Sequence, residues 1–172
     1  AARNAVDCAL WDLAAKTAQR PAWQLAGLPP PHPTMTCYTL SLDTPDAMAA
    51  DARAHHDCAL LKLKLGDSTG DGDRMRAVRA ARPDARLVAD ANEGWSPDDL
   101  AHLIAVAAAC RLELIEQPLA DGDDAALASL NPAVPLCADE SAAPGTSVAA
   151  LSPRYQAVNI KLDKVGGLTA AL

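Results

Sequence analysis

From Thr34 onward this chain keeps a rhythm that few folds can accommodate. Six short strand-like runs follow one another: "TMTCYTLSL", "ALLKLKLG", "ARLVADAN", "RLELIEQP", "VPLCADES" and "AVNIKLDKVGG". Helical patterns separate them: "TPDAMAADARAHH", "DRMRAVRAARP", "SPDDLAHLIAVAAAC", "DDAALASL" and "TSVAAL". Two helices open on Thr-Pro or Ser-Pro, so Thr44 and Ser96 supply N-cap oxygens and the following proline lacks only an N–H that the first turn would leave unpaired. Strands that alternate with helices pair in parallel, because each helix carries the chain back to the same end of the sheet. The expected fold class is α/β, a (β/α)8 TIM-type barrel of which residues 34–172 provide about six βα units. Residues 1–33 read as a helical segment leading into the barrel through the stiff linker "LPPPHP".

The charges follow the same rhythm. Each strand from the second to the sixth meets an ionisable residue at the end of its apolar run: Lys64, Asp90, Glu116, Asp139 and Lys161, spaced 26, 26, 23 and 22 residues apart. The C-terminal ends of parallel strands in a barrel converge on one mouth, where active sites lie. Taken alone, "LLKLKLG" is an ordinary half-buried strand whose two lysines face water. Taken with the other four strand ends, it places Lys62 and Lys64 on one face of a site holding three carboxylates. Three converging carboxylates suit a hard divalent cation, and Mg2+ typically keeps positions open for substrate oxygens. A substrate carboxylate beside such an ion has an acidified α-carbon, because the negative charge left by the departing proton is stabilised. An amine can take that proton if a neighbouring positive charge favours its neutral form, a role for Lys62 beside Lys64. With Lys64 and Lys161 on opposite sides, one lysine removes a proton and the other returns it, the geometry of a racemase or epimerase.

Composition excludes several alternatives. Lys and Arg number 15 against 22 Asp and Glu, a net charge of −7, with no basic cluster to neutralise nucleic-acid phosphates. No stretch approaches the length and apolarity of a membrane span, and no signal-peptide pattern occurs. Five cysteines, odd in number and never in a C-x-x-C pair, point to a reduced, cytoplasmic setting. The chain starts in mid-helix pattern without Met and stops as another helix begins, so it reads as part of a longer protein. His32, His55, His56 and His102 all lie away from strand ends and are not expected to be catalytic.

The ordered set "LKLKLG", "VADAN", "IEQP", "ADES" and "NIKLDKVGG" closely resembles the enolase superfamily in its muconate-lactonizing subgroup. That resemblance implies Asp90, Glu116 and Asp139 as Mg2+ ligands and Lys64 and Lys161 as the acid/base pair, with Lys62 supporting. Lys164 is a rival to Lys161, but Lys161 aligns better with the motif. Asn92 matches the second polar residue of the D-x-N turn, and Glu140, next to Asp139, points elsewhere at the same strand end. Residues 38–52, "YTLSLDTPDAMAADA", look like the first-strand region of dipeptide epimerases, which implies Thr39 near the substrate. The implied reaction is epimerisation at a carbon α to a carboxylate, with a small-molecule substrate such as the dipeptide Ala-Glu. Muconate cycloisomerisation, o-succinylbenzoate synthesis and a non-catalytic barrel fragment are the alternatives. The resemblance also implies that a capping domain, N-terminal in sequence, and the last strands lie outside this chain. Open parallel edges would then favour pairing, so a homo-oligomer is expected.

Overall fold

The computed structural model describes residues 2–143 and 145–172. The helices α1 (Ala2–Ala18) and α2 (Ala22–Leu25) come first. Then follow β1 (Tyr38–Leu40), α3 (Pro45–Ala54), β2 (Leu60–Lys64), α4 (Asp71–Ala81), β3 (Arg86–Asp90), α5 (Pro97–Ala109) and β4 (Leu112–Glu116). A 3-10 helix (Asp124–Ser129), β5 (Leu136–Ala138), α6 (Val148–Leu151), β6 (Ala157–Val158), α7 (Leu162–Val165) and α8 (Leu168–Ala171) complete the chain. Two compact units result. One comprises Met35–Ser141 and Ser147–Val158; the other comprises Ala1–Thr34, Ala142–Thr146 and Asn159–Leu172.

The larger unit is a six-stranded sheet in the order β1-β2-β3-β4-β5-β6, with every neighbour pair parallel. Sequential order with helical returns is the arrangement of consecutive units in a (β/α)8 barrel. The alternation of β2 shows why: Leu61 and Leu63 are fully buried, while Lys62 and Lys64 point to the opposite face. Met48, Ala52, Met75, Val78 and Leu103 from α3, α4 and α5 are buried with them. The N-caps form as their residue types demand, with Thr44 Oγ accepting from Ala47 N and Ser96 Oγ from Asp99 N.

At the C-cap of α4, the buried Arg82 donates to the carbonyls of Ala52, His55 and Cys58 and to both oxygens of Asp84. Its hydrogen bonds hold Asp84 down to about 2. Two strands are shorter than the sequence suggested. The β6 ladder comprises Ala157 and Val158, paired with Cys137 and Ala138 of β5. β1 pairs with Leu61, Lys62 and Leu63 of β2. The short helical run near Asp124 is 3-10 rather than α.

In the smaller unit, Trp11 Nε1 donates to Thr169 Oγ1 and Thr169 N donates to Asp7 Oδ2. Gly167, at φ 121, lies so close to Asp7 that an added Cβ would stand 2.4 Å from its carboxylate oxygen. The second glycine of "VGG" is therefore needed both for its backbone conformation and for this approach. Among the described residues, no helix is long and apolar enough to cross a membrane. All five cysteines are free thiols.

Candidate active site

Ladder pairing brings the charged strand ends into line. Lys64 pairs with Asp90 and Asp90 with Glu116, while Cys137 pairs with Glu116 and thus sets Asp139 two residues further along on the same face. Asp90, Glu116 and Asp139 are buried, at 1%, 4% and 1% exposure. Lys62 Nζ lies between two of them, 2.9 Å from Asp90 Oδ2 and 2.5 Å from Glu116 Oε2. Lys64 Nζ is 2.7 Å from Asp90 Oδ2 and 3.1 Å from Asn92 Oδ1.

The electrostatics follow from these contacts. Burial pushes the Glu116 carboxyl above its usual range; Lys62 pulls it back, but the charge on Asp90 and the bond with Asp139 add to the rise. Burial acts on Asp90 in the same sense, yet two ammonium groups bond to it and hold it below the ordinary value. These neighbours thus shift in opposite directions because Asp90 has two cationic partners and Glu116 one. Burial would lower Lys62, but its bonds to Asp90 and Glu116 win and raise it, so it remains an ammonium ion. Cys137, in register with Glu116, is pushed up to about 12, chiefly by burial and then by Glu116 and Asp139, so it stays a thiol.

The backbone at the strand ends is unusual. Asn92, Glu93 and Gln117 have φ of 47, 64 and 36 without being glycine. Such conformations cluster where a site over-determines its loops. Here each loop is tied to the next: Ala91 N to Glu116 O, Glu93 N to Gln117 O, and Gln117 N to Cys137 O. Gly94 closes the same turn, and an added Cβ there would stand 2.4 Å from Gly66 Cα.

Lys62, Lys64, Asp90, Asn92 and Glu116 are thus brought together within the larger unit, with Asp139 buried beside Glu116. Thr39 is the register partner of Lys62 and is exposed. Glu140 is half-buried next to Asp139. Lys161 belongs to the smaller unit, as the N-cap residue of α7, rather than to a strand end; Lys164 is in the last turn of that helix.

Several polar residues at this site escaped the sequence reading. Asp71, fully buried, accepts at Oδ2 from Gly66 N, Asp67 N and Trp95 Nε1, joining the loops after β2 and β3. Gln117, Ser141, Asp124 and Tyr155 form a buried cluster below Asp139. The only signals were the Gln of "EQP" and the Ser of "ADES", which the motifs carry without explaining.

Three buried carboxylates are the oxygen-donor chemistry that Mg2+ takes. The Lys62 ammonium between Asp90 and Glu116 stands where positive charge is accepted. Among the described residues no three such groups converge at coordination distance, Lys62 being interposed between two of the carboxylates. In donor type and in its acceptance of a cation, the set fits Mg2+.

Comparison with known proteins extends these observations. Residues 46–172 match the family described as enolase C-terminal domain-like. Residues 1–27 match the N-terminal domain of the mandelate racemase / muconate lactonizing enzyme family. The chain is 47% identical to the L-Ala-D/L-Glu epimerase of Escherichia coli (strain K12), covering 100% of this chain and 54% of that protein. An enolase family member from Agrobacterium tumefaciens with homology to dipeptide epimerases, solved with bound sodium and L-Ala-L-Glu, superposes with a TM-score of 0.93. Its identity is 51%, over 99% of this chain and 52% of that one. The dipeptide epimerase from Cytophaga hutchinsonii, complexed with Mg and D-Ala-L-Val, gives a TM-score of 0.91 at 30% identity, over 98% and 48%. The chain spans about half the length of the relatives it matches.

Proposed function

The chain belongs to the enolase C-terminal domain-like family, and on that premise we propose that the protein is a Mg2+-dependent epimerase of dipeptides such as Ala-Glu. It would remove the proton α to the carboxylate and return one on the opposite face. The observation that carries this reading is the register of Lys64, Asp90 and Glu116 across adjacent strands, with Asp139 buried beside them. Asp90, Glu116 and Asp139 would hold the ion. When bound, Mg2+ supplies a positive charge that stabilises the negative charge developing on the substrate carboxylate.

On this unit, Lys64 is assigned the removal of the α-proton. Its Nζ is partly exposed at the mouth while hydrogen-bonded to Asp90 and Asn92, which fix its direction. Lys62 is more deeply set and engaged by two carboxylates, so its part is to balance the charge of the acidic cluster. Lys161 is assigned the opposite-face proton from its place in "NIKLDKVGG". Thr39, beside Lys62 in the ladder, is assigned to the substrate side. The bound Mg in the Cytophaga hutchinsonii relative and the bound L-Ala-L-Glu in the Agrobacterium tumefaciens relative support the ion and the substrate class.

Proton NMR in D2O with Mg2+ and L-Ala-L-Glu tests the proposal. Loss of the α-proton signal of the glutamate residue, with the epimer appearing, is the expected result. Exchange confined to N-acylated amino acids would move the substrate to another class, and no exchange with any α-substituted acid would overturn the assignment.

A further inference from the structure

Beneath the proposed metal ligands lies a buried chain of hydrogen bonds with a defined direction. Gln117 Oε1 accepts from the backbone N–H of Asp139 at 2.9 Å and of Ser141 at 3.1 Å. The two protons of Gln117 Nε2 are shared among Ser141 Oγ at 2.7 Å, Tyr155 OH at 3.0 Å and Leu119 O at 2.8 Å. Both hydroxyls in turn donate to one oxygen of Asp124, at 2.7 and 2.8 Å. Arg154 bonds the other Asp124 oxygen. Gln117, Asp124, Ser141 and Tyr155 are all at most 4% exposed.

The direction of this chain decides its effect. An ionised carboxylate can only accept hydrogen bonds, so a hydroxyl that donates to Asp124 turns a lone pair to Gln117; the two hydroxyls also touch each other at 3.2 Å. Only the amide nitrogen can then face the hydroxyls. The amide oxygen must face the other way, onto the N–H groups of Asp139 and Ser141. Gln117 follows Glu116 directly, and Asp139 and Ser141 follow the end of β5. The orientation of one amide thus sets the spacing between the ends of two neighbouring strands, each of which carries a ligand.

Resting on the ligand assignment made above, we infer that Asp124, through Ser141 and Tyr155, fixes the amide of Gln117 and so sets the spacing of Glu116 and Asp139 for the cation. Gln117, Ser141, Tyr155 and Asp124 are positioning residues; none of them is placed to touch the substrate. Arg154 balances the charge of Asp124. Partners that orient metal ligands from outside typically change metal affinity by about 10- to 100-fold when removed, and a similar scale is expected here.

The test measures Mg2+ affinity of the complete protein by isothermal calorimetry, with Mn2+ titration by electron paramagnetic resonance as a second readout. Tyr155→Phe and Ser141→Ala should each weaken binding by about tenfold or more while circular dichroism is unchanged. Arg82→Lys, which loosens the opposite end of β3, should lower the melting temperature and leave Mg2+ affinity within twofold. Affinities within twofold of the parent for both hydroxyl variants overturn the inference but leave the ligand assignment standing. Failure of the parent to bind Mg2+ overturns both. Should neither hydroxyl variant fold, the side-chain amide of Gln117 in 15N-glutamine-labelled parent protein decides. Shifted, exchange-protected signals on Mg2+ saturation support the inference, and unchanged signals refute it.

Discussion

Asp71 offers the sharpest test of how the loops around the site are held. Its Oδ2 accepts from Gly66 N at 3.0 Å, Asp67 N at 3.1 Å and Trp95 Nε1 at 2.9 Å, and its Oδ1 from Arg74 Nη1 at 2.9 Å. Asp71→Asn keeps one oxygen, which can stay on the three N–H donors, but sets an amide NH2 against Arg74. One charge-assisted bond is lost, about 2 kcal/mol on the usual scale. The loss stays below that of a broken buried pair because Arg74 keeps Asp43 O at 2.8 Å and Asp67 Oδ2 at 3.2 Å. Asp71→Ala removes every acceptor and leaves the buried Trp95 N–H unsatisfied, so its cost should reach about 4 kcal/mol. Urea denaturation followed by circular dichroism measures both. With m unchanged, the alanine variant should show about twice the midpoint shift of the asparagine variant. Trp95→Phe combined with Asp71→Ala should cost less than the two changes separately, since they share one bond. If both Asp71 variants fall within about 0.5 kcal/mol of the parent, the loops are held by something other than this carboxylate.

Three further outcomes follow from named contacts. Gly94→Ala forces a Cβ to within 2.4 to 2.6 Å of Gly66 backbone atoms, which cannot yield as a side-chain end could. It should cost about 1–3 kcal/mol in denaturation and slow α-proton exchange by displacing Asn92. Lys64→Ala should abolish exchange from one stereoisomer of the substrate and Lys161→Ala from the other, each read by NMR in D2O. Chelation should abolish exchange from both, with Mg2+ restoring it. Asp84, held down from 3.8 chiefly by its hydrogen bonds to Arg82, should titrate with a midpoint at about 2 by NMR. Because the folded value is depressed, its stabilising effect is present above the unfolded value and fades as the pH falls from about 4 toward 2.

The site was legible in the sequence to the extent that it repeats. A parallel sheet with helical returns places one side chain at each strand end, so Lys64, Asp90, Glu116 and Asp139 recur at nearly the same interval as the fold itself. The alternation of Leu61 and Leu63 with Lys62 and Lys64 told which face each side chain takes, and the ladder bears this out. What the interval could not convey is partnership. Lys62 read as a like-charged neighbour of Lys64, whereas its ammonium is bonded to Asp90 and Glu116, a pairing set by side-chain reach across three strands. Asp71 and Asp124 lie in the first turns of their helices, where a carboxylate usually faces water. Both are buried, because each collects donors from loops distant in sequence. The one polar atom of the buried Trp95 is likewise taken by Asp71. For Lys161 the interval pointed to a strand end, whereas β6 is Ala157–Val158 and Lys161 is the N-cap residue of α7. A barrel's chemistry is periodic because its strands are. The groups that orient that chemistry lie on loops of unequal length, where no interval survives, and Gln117, Ser141 and Tyr155 are found only once the ends of β4 and β5 are seen side by side.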